Sequence, residues 1–333
     1  MINLKNKTIL ITGGTGSFGK KFAELVLKKH KPKKIIIFSR DELKQYLMKS
    51  QFKSDDKILR YFIGDVRDLD RLKLAMQDVN IVIHAAALKH VESGEYNPFE
   101  VVKTNVVGTQ NVVDAIVGSR VEKAIFLSTD KAVSPINLYG ASKLAAEKLF
   151  IAANNYSSKK FSVVKYGNVF NSRGSVVPTF IEQIKKKNKL SLTNKNMTRF
   201  NISLEEGVNF VIMALKNMIG GETFIPIMET IEILDLVKIF NPKNGFKEIG
   251  IKPGEKIHEE LISSSDNSVK IECKKYFIVC PSTLLSSDKL VKKYLIINNG
   301  KIIKNNFSYN SSNKEKRLKI GKIKKLIDKN YQL

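Results

Sequence analysis

Cysteine is nearly missing from this chain: Cys273 and Cys280 are the only two in 333 residues. Two thiols are too few for a disulfide scaffold, and nothing around them has metal-ligand spacing, so no metal is expected. No stretch approaches the ~18–20 apolar residues that span a bilayer, so no membrane partner is expected either. Only a few residues precede the first strand-like run in MINLKNKTILITGG, which leaves no room for a signal peptide; we expect a cytoplasmic protein. Internal repeats and low-complexity linkers are absent, so its lobes should share one core. Acids are scarce as well, 32 Asp and Glu against 57 Lys and Arg, for a net charge of +25. Such a surplus can mark nucleic-acid binding. Here the lysines are spread along the chain beside abundant Asn, which reads as coding bias, and no nucleic-acid partner is expected. The densest basic stretch begins at Asp288, with 13 Lys and Arg against 3 acids. A positive field also favours a substrate bearing a diphosphate. Apolar residues, at 43%, suffice for one large domain or two packed intimately.

What is present first is a rhythm. Short β-branched runs at residues 7–12 (KTILIT), 33–38 (KKIIIF), 58–63, 80–84 (NIVIH), 123–128 (KAIFLS) and 161–166 alternate with helical patterns at 17–29, from 41, 68–77, 98–117 and 139–154. This predicts an α/β fold, a Rossmann-type doubly wound parallel sheet. After Gly167 the strands become short and irregular. We expect a dinucleotide-binding domain over 1–167 and a smaller substrate-binding lobe over 168–282, interleaved with that core. A Lys/Asn-rich C-terminal segment, 283–333, is the least informative part.

Thr12-Gly13-Gly14-Thr15-Gly16-Ser17-Phe18-Gly19 follows the first strand and opens the first helix. Gly13 should make the tight turn, Gly16 should let backbone N–H groups approach a pyrophosphate, and Gly19 should allow close helix–strand packing. Thr15, Ser17 and Phe18 complete the loop. After the second strand, Ser39, Arg40 and Lys44 suit a 2′-phosphate, which favours NADP; Asp41 keeps NAD open as the alternative. Asp65-Val66 stand where an adenine contact is expected. Ala85, Ala86 and Ala87 are small enough for the dinucleotide to lie against the backbone, and Asn105, Tyr139 and Lys143 complete the cofactor set.

Tyr139-Gly140-Ala141-Ser142-Lys143 puts Tyr and Lys at i and i+4 on one helical face. The ammonium should favour the phenolate, which can take a proton from a hydroxyl as hydride leaves the same carbon. The preceding strand ends in Ser128-Thr129-Asp130-Lys131. Thr129 is the hydroxyl residue an oxidoreductase needs there, and an acid beside a base suggests elimination added to the redox step. His84 and His90 are expected to be packing residues.

With these motifs the chain resembles the extended short-chain dehydrogenases/reductases, and within them the inverting UDP-N-acetylglucosamine 4,6-dehydratases that begin pseudaminic acid synthesis. The segments that carry the resemblance include TGGTGSFG, GDVRD, HAAALKHV, KTNVVGTQNV, STDKAVSPINLYGASK, SRGSVVP and IKPGEKIHE, with FSYNS at 307–311. Retaining relatives typically have Met at the position of Tyr139. Three departures stand out: HVESGEYNP in place of HVPxxEYNP, Asn171 for a small residue, and Lys252 where Arg is usual. Lys lacks the bidentate fork of Arg.

The resemblance implies that Tyr139 takes the O4 proton, Lys131 the C5 proton, and Asp130 protonates the departing C6 hydroxyl, with Lys143 and Thr129 in support. It places Lys89, Asn168, Arg173, Ser175, Val176, Thr193, Arg199, Lys252 and Glu255 on a UDP-sugar, and implies a homo-oligomer. A retaining dehydratase and a UDP-sugar 4-epimerase remain open as alternatives. A catalytically silent dinucleotide sensor or nucleic-acid binder is a third, which the intact catalytic set argues against.

Overall fold

The computed structural model describes residues 4–55, 57–170, 176–240, 242–304 and 306–331. Strand and helix alternate from the start: β1 (Thr8–Thr12), α1 (Ser17–His30), β2 (Lys34–Ser39), α2 (Glu42–Gln51), β3 (Leu59–Ile63), α3 (Leu69–Ala75) and β4 (Ile81–His84). Asp41 and Asp68 start α2 and α3 by accepting the N–H groups of Lys44 and Arg71. Helices α4 (Val91–Tyr96) and α5 (Pro98–Val102) lead through a π-helical turn, Lys103–Val107, into α6 (Gly108–Val117). The single helix expected over 98–117 is therefore interrupted. β5 (Lys123–Thr129), α7 (Leu138–Ala152) and β6 (Lys160–Tyr166) complete the alternating part.

The chain then leaves the sheet through β7 (Asn168–Val169), α8 (Val176–Lys185), β8 (Leu190–Leu192), β9 (Thr198–Ile202) and α9 (Leu204–Asn217). It returns as β10 (Thr223–Pro226), leaves through β11 (Glu229–Glu232), α10 (Ile233–Phe240), β12 (Phe246–Glu248) and β13 (Glu260–Ile262), and returns again as β14 (Lys270–Glu272) and β15 (Tyr276–Val279). The tail adds α11 (Lys289–Asn298), β16 (Lys301–Ile303), β17 (Tyr309–Asn310) and α12 (Ile320–Tyr331).

The ten-stranded sheet runs β3-β2-β1-β4-β5-β6-β10-β15-β14-β16. It is parallel from β3 to β10 and antiparallel beyond. The order 3-2-1-4-5-6 is that of a doubly wound Rossmann sheet. Alternation along each strand sends side chains to opposite faces. Ile9, Ile11, Ile35, Ile37, Ile81 and Ile83 pack with Phe22 and Val26 of α1 and Val208 and Val211 of α9. Leu10, Phe38, Val82 and Phe126 face the other way, onto Leu72, Val112, Val113 and Phe150. A third cluster, with Phe180, Leu190, Leu236 and Ile323, lies beneath the smaller lobe. Among the described residues no helix is long and apolar enough to cross a membrane.

Candidate active site

The carboxyl ends of the parallel strands form one rim, and the loops there carry most of the residues singled out above. Gly13 turns the chain with φ +65°, and a Cβ at this position would come within 2.9 Å of the Ala86 backbone. A side chain would strain the turn and push away the loop after β4. Gly16 is the N-cap of α1 and puts no side chain on the first-turn amides, as an anion site requires. Buried Thr15 and Ser39 share a 2.9 Å hydrogen bond that ties this loop to the end of β2. Ser17 is exposed and Phe18 packs partly on the core. Gly19 packs against the loop itself, since a Cβ would meet the Gly14 carbonyl oxygen at 2.3 Å. With half-buried Ala85, Ala86 and Ala87 opposite, these residues fit a dinucleotide.

His84 fixes that platform. Thr109 Oγ1 donates to the Asn105 carbonyl at 2.6 Å, so it accepts from His84 Nε2 at 3.0 Å. His84 Nδ1 then accepts from Thr12 Oγ1 at 2.6 Å, and Thr12 Oγ1 accepts the N–H groups of Ala85 and Ala86 at 3.2 Å each. The ring is wholly enclosed, and burial followed by the charge of Lys143 drives its pKa down to about 3. Asn105, in the π-turn, has its amide engaged with both Leu88 backbone groups, at 2.8 and 2.9 Å, and with Ser142 at 3.0 Å.

Beyond β2, Asp41 spends one oxygen on the Lys44 N–H at 2.9 Å and pairs the other with the Lys44 ammonium. Arg40 is exposed, with Nη1 3.5 Å from Asp65. Burial would raise Asp65, but hydrogen bonds from Arg67, with Arg40 alongside, hold its carboxyl below the usual range. Val66 is buried against Gly108.

β5 delivers the catalytic candidates. Thr129 Oγ1 donates to Asp130 Oδ1 at 2.9 Å, and the Lys131 ammonium donates to the same oxygen at 3.0 Å and to Asn168 at 3.3 Å. Asp130 is fully buried, and its Oδ2 has no hydrogen-bond partner among the described residues. A Cβ at Gly140 would lie 2.1 Å from the Lys131 carbonyl oxygen. Only glycine lets the first turn of α7 cross the Asp130–Ala132 turn, and this sets Tyr139 beside Lys131. Asn137 starts α7 by accepting the Gly140 N–H at 2.7 Å.

Electrostatics here differ from the sequence reading. Burial pushes Tyr139 up to about 12; Lys131 is the main charge opposing it, and a Thr129 hydrogen bond helps. Lys143, expected to supply that charge, lies buried beneath, donating to the Leu127 carbonyl at 2.7 Å above the Phe126 ring. Burial brings Lys143 down to about 7 against the pull of Glu147. Burial would lower Lys131 too, but Asp130 and Glu259 together lift its ammonium above the ordinary lysine range.

A cavity of about 290 Å³ opens on Lys131. Asn168, Val176, Thr193, Arg199, Lys252 and Glu255 stand in its wall. Lys89 is exposed on the loop after β4 and is not part of that wall. Arg173 and Ser175 lie outside the described residues. Glu255 keeps a buried oxygen with no hydrogen-bond partner among the described residues. Lys252 reaches across to Glu92 of α4 at 2.9 Å. Glu259, also in the wall and 3.2 Å from Lys131, was not anticipated. It ends the IKPGEKIHE segment, but nothing local singles it out from Glu255.

The family described as polysaccharide biosynthesis protein matches residues 9–281. UDP-N-acetylglucosamine 4,6-dehydratase (inverting) of Campylobacter jejuni is 52% identical over 318 residues, 94% of each chain. UDP-glucose 4-epimerase of Rickettsia rickettsii is 41% identical over 334 residues, 97% of this chain and 95% of that one. The X-ray structure of Pen from Bacillus thuringiensis covers all of both chains with a TM-score of 0.88 at 39% identity. By a match across most of its length, joined to a Rossmann sheet and a Tyr/Lys helix, the chain belongs to the polysaccharide biosynthesis protein family.

Proposed function

We propose that this chain is a UDP-N-acetylglucosamine 4,6-dehydratase that inverts C5, giving UDP-2-acetamido-2,6-dideoxy-β-L-arabino-hex-4-ulose, the opening step of pseudaminic acid synthesis. The observation that carries this reading is the contact of Asp130 and Lys131, 3.0 Å apart, beside Tyr139 at the end of β5. An epimerase needs the tyrosine but not an acid–base pair for elimination. A bound nicotinamide dinucleotide supplies the chemistry of taking a hydride from the sugar and returning it. The spent carboxylate of Asp41 and the exposed guanidinium of Arg40 favour NADP over NAD. We assign the enzyme to the cytoplasm as a homo-oligomer.

The chain's own residues then move protons. Tyr139 acts as its phenolate, its own proton first lost to solvent with the Lys131 ammonium as the main charge favouring that form, and takes the proton of the sugar O4. The ketone formed at C4 acidifies the C5 proton. Lys131 is an ammonium at rest and must first give a proton to Asp130, which replaces an ion pair by two neutral groups. Lys131 then takes the C5 proton, and Asp130 protonates the C6 hydroxyl, which leaves as water. A proton added to C5 from the opposite face completes the inversion. The substrate loses protons from O4 and C5 and gains protons at the leaving oxygen and C5, so the cycle balances. Asn105 positions the loop after β4, and the cavity wall from Asn168 to Glu255 holds the nucleotide sugar, with Lys252 and Arg199 as cations for its diphosphate.

NMR of the product from UDP-N-acetylglucosamine in D₂O tests this. The expected product has lost water and carries one deuterium at an inverted C5, and Lys131→Ala forms none of it. A product isobaric with the substrate would establish the epimerase instead, and retention at C5 would establish the retaining dehydratase.

A further inference from the structure

Glu259 stands just before β13 with 3% of its surface exposed. Its backbone is braced on both sides by Ser311: the N–H donates to Ser311 Oγ at 2.9 Å, and the carbonyl accepts the Ser311 N–H at 2.8 Å. Its Oε1 lies 3.2 Å from Lys131 Nζ and 3.7 Å from Arg199 Nε. Its Oε2 is buried without a hydrogen-bond partner among the described residues. An ammonium has three donors, and Lys131 faces three acceptors: Asp130 at 3.0 Å, Asn168 at 3.3 Å and Glu259. A neutral amine has two donors and a lone pair, so one of these contacts must be given up before Lys131 can act as a base. Asp130 is its sequence neighbour and stays within reach. Asn168 is uncharged. Glu259 has a second cation beside it, Arg199, to which it can turn.

We infer that Glu259 is a positioning residue for the elimination step: it holds Lys131 in place with its proton on it at rest, and frees the lysine by turning to Arg199. This rests on the reading of Lys131 as the base at C5. The charged and titratable groups facing Lys131 are Asp130 on its own turn, Tyr139 from α7, Arg199 from β9 and Glu259. Of the two carboxylates, Glu259 is the one that removal leaves without a role in the proton count of the reaction.

Glu259→Gln keeps the shape and removes the charge. Two profiles are measured against pH: acetylation of Lys131 by acetic anhydride in the protein alone, read by mass spectrometry, and kcat for water loss from UDP-N-acetylglucosamine. Both are expected to move to lower pH by one unit or more, which makes the neutral amine about tenfold more abundant at a given pH. KM should change by less than about threefold. Glu259→Asp, charged but shorter, should shift both profiles by an intermediate amount, and it decides the matter if the glutamine variant does not fold. Profiles that superimpose on wild type, with only a uniform loss of rate, overturn the inference. If the wild-type protein forms no dehydrated product, the dehydratase reading fails, while the acetylation profile still judges Glu259.

Discussion

His84 shows how a residue can matter to a site without entering its chemistry. Enclosed and hydrogen-bonded at both nitrogens, it stays neutral in the folded protein down to about pH 3. The unfolded chain takes up that proton near pH 6.5. Between about 6.5 and 3 the unfolded state therefore binds more protons, and stability falls as pH falls; above 6.5 nothing further is gained. His84→Gln removes this contribution. Its stability deficit, measured by urea unfolding, is expected to shrink by about 2 kcal/mol between pH 7 and pH 5; a constant deficit would contradict the enclosed neutral ring. At this scale legibility depended on sequence distance. Asp130, Lys131 and Tyr139 fall within one short segment, so their spacing predicts their meeting. Glu259 reaches the same ammonium from the far lobe, and Glu147, which pairs with Lys165 at 2.9 Å beneath the site, has no local pattern at all. The partner of Lys143 was likewise invisible, because helical spacing gives a face but not which neighbour the amine meets.

The six parallel strands from β1 to β6 match their expected ranges to within a residue at each end, because most are buried apolar runs flanked by turns; β3, at the sheet edge, is the one that is largely not buried. The π-turn was not legible. It is stabilised by the Asn105 amide gripping Leu88, a tertiary contact that periodicity does not contain. The three-residue strands β8, β12, β13 and β14 are too short to show a period. One pair of elements also explains two departures from the family pattern: Glu92, standing where Pro is common, and Lys252, standing where Arg is usual, meet each other. This exposed ion pair joins α4 to the segment before β13 at the cavity mouth. Such exposed pairs contribute little to stability and are screened by salt. If Lys252 grips the diphosphate, it must first leave Glu92. Glu92→Gln is then expected to lower KM for the nucleotide sugar by up to about fivefold at low salt with kcat unchanged. The gain should vanish at 0.5 M salt, and an equal KM at low salt would dismiss the competition.

For the whole molecule, the basic C-terminal stretch was the least readable segment and turns out to be structural. β16 closes the edge of the main sheet and β17 pairs with β13. Leu318, Ile323 and Ile327 are buried in the third cluster. Tyr309 hydroxyl accepts the Met228 N–H at 2.8 Å, and Ser311 braces Glu259. Lysines on the outer face of α12 hid this apolar stripe within a charge run. Removing residues 306–333 is expected to expose the smaller lobe to limited proteolysis and abolish turnover, while residues 4–167 still resist the protease; uniform resistance would refute the dependence. The shared sheet carries a further consequence, for motion. β10 is hydrogen-bonded to β6, so the lobes cannot swing apart like jaws without tearing a ladder in the middle of the protein. Beside that ladder, the strap at residues 249–256, which carries part of the cavity wall, is held to the larger lobe by side chains, Lys252 to Glu92, Asn137 to the Gly254 carbonyl and Lys256 to the Val133 carbonyl. Any loosening of this wall is therefore local, a matter of side-chain contacts at one edge, while the sheet beneath keeps the two lobes in register.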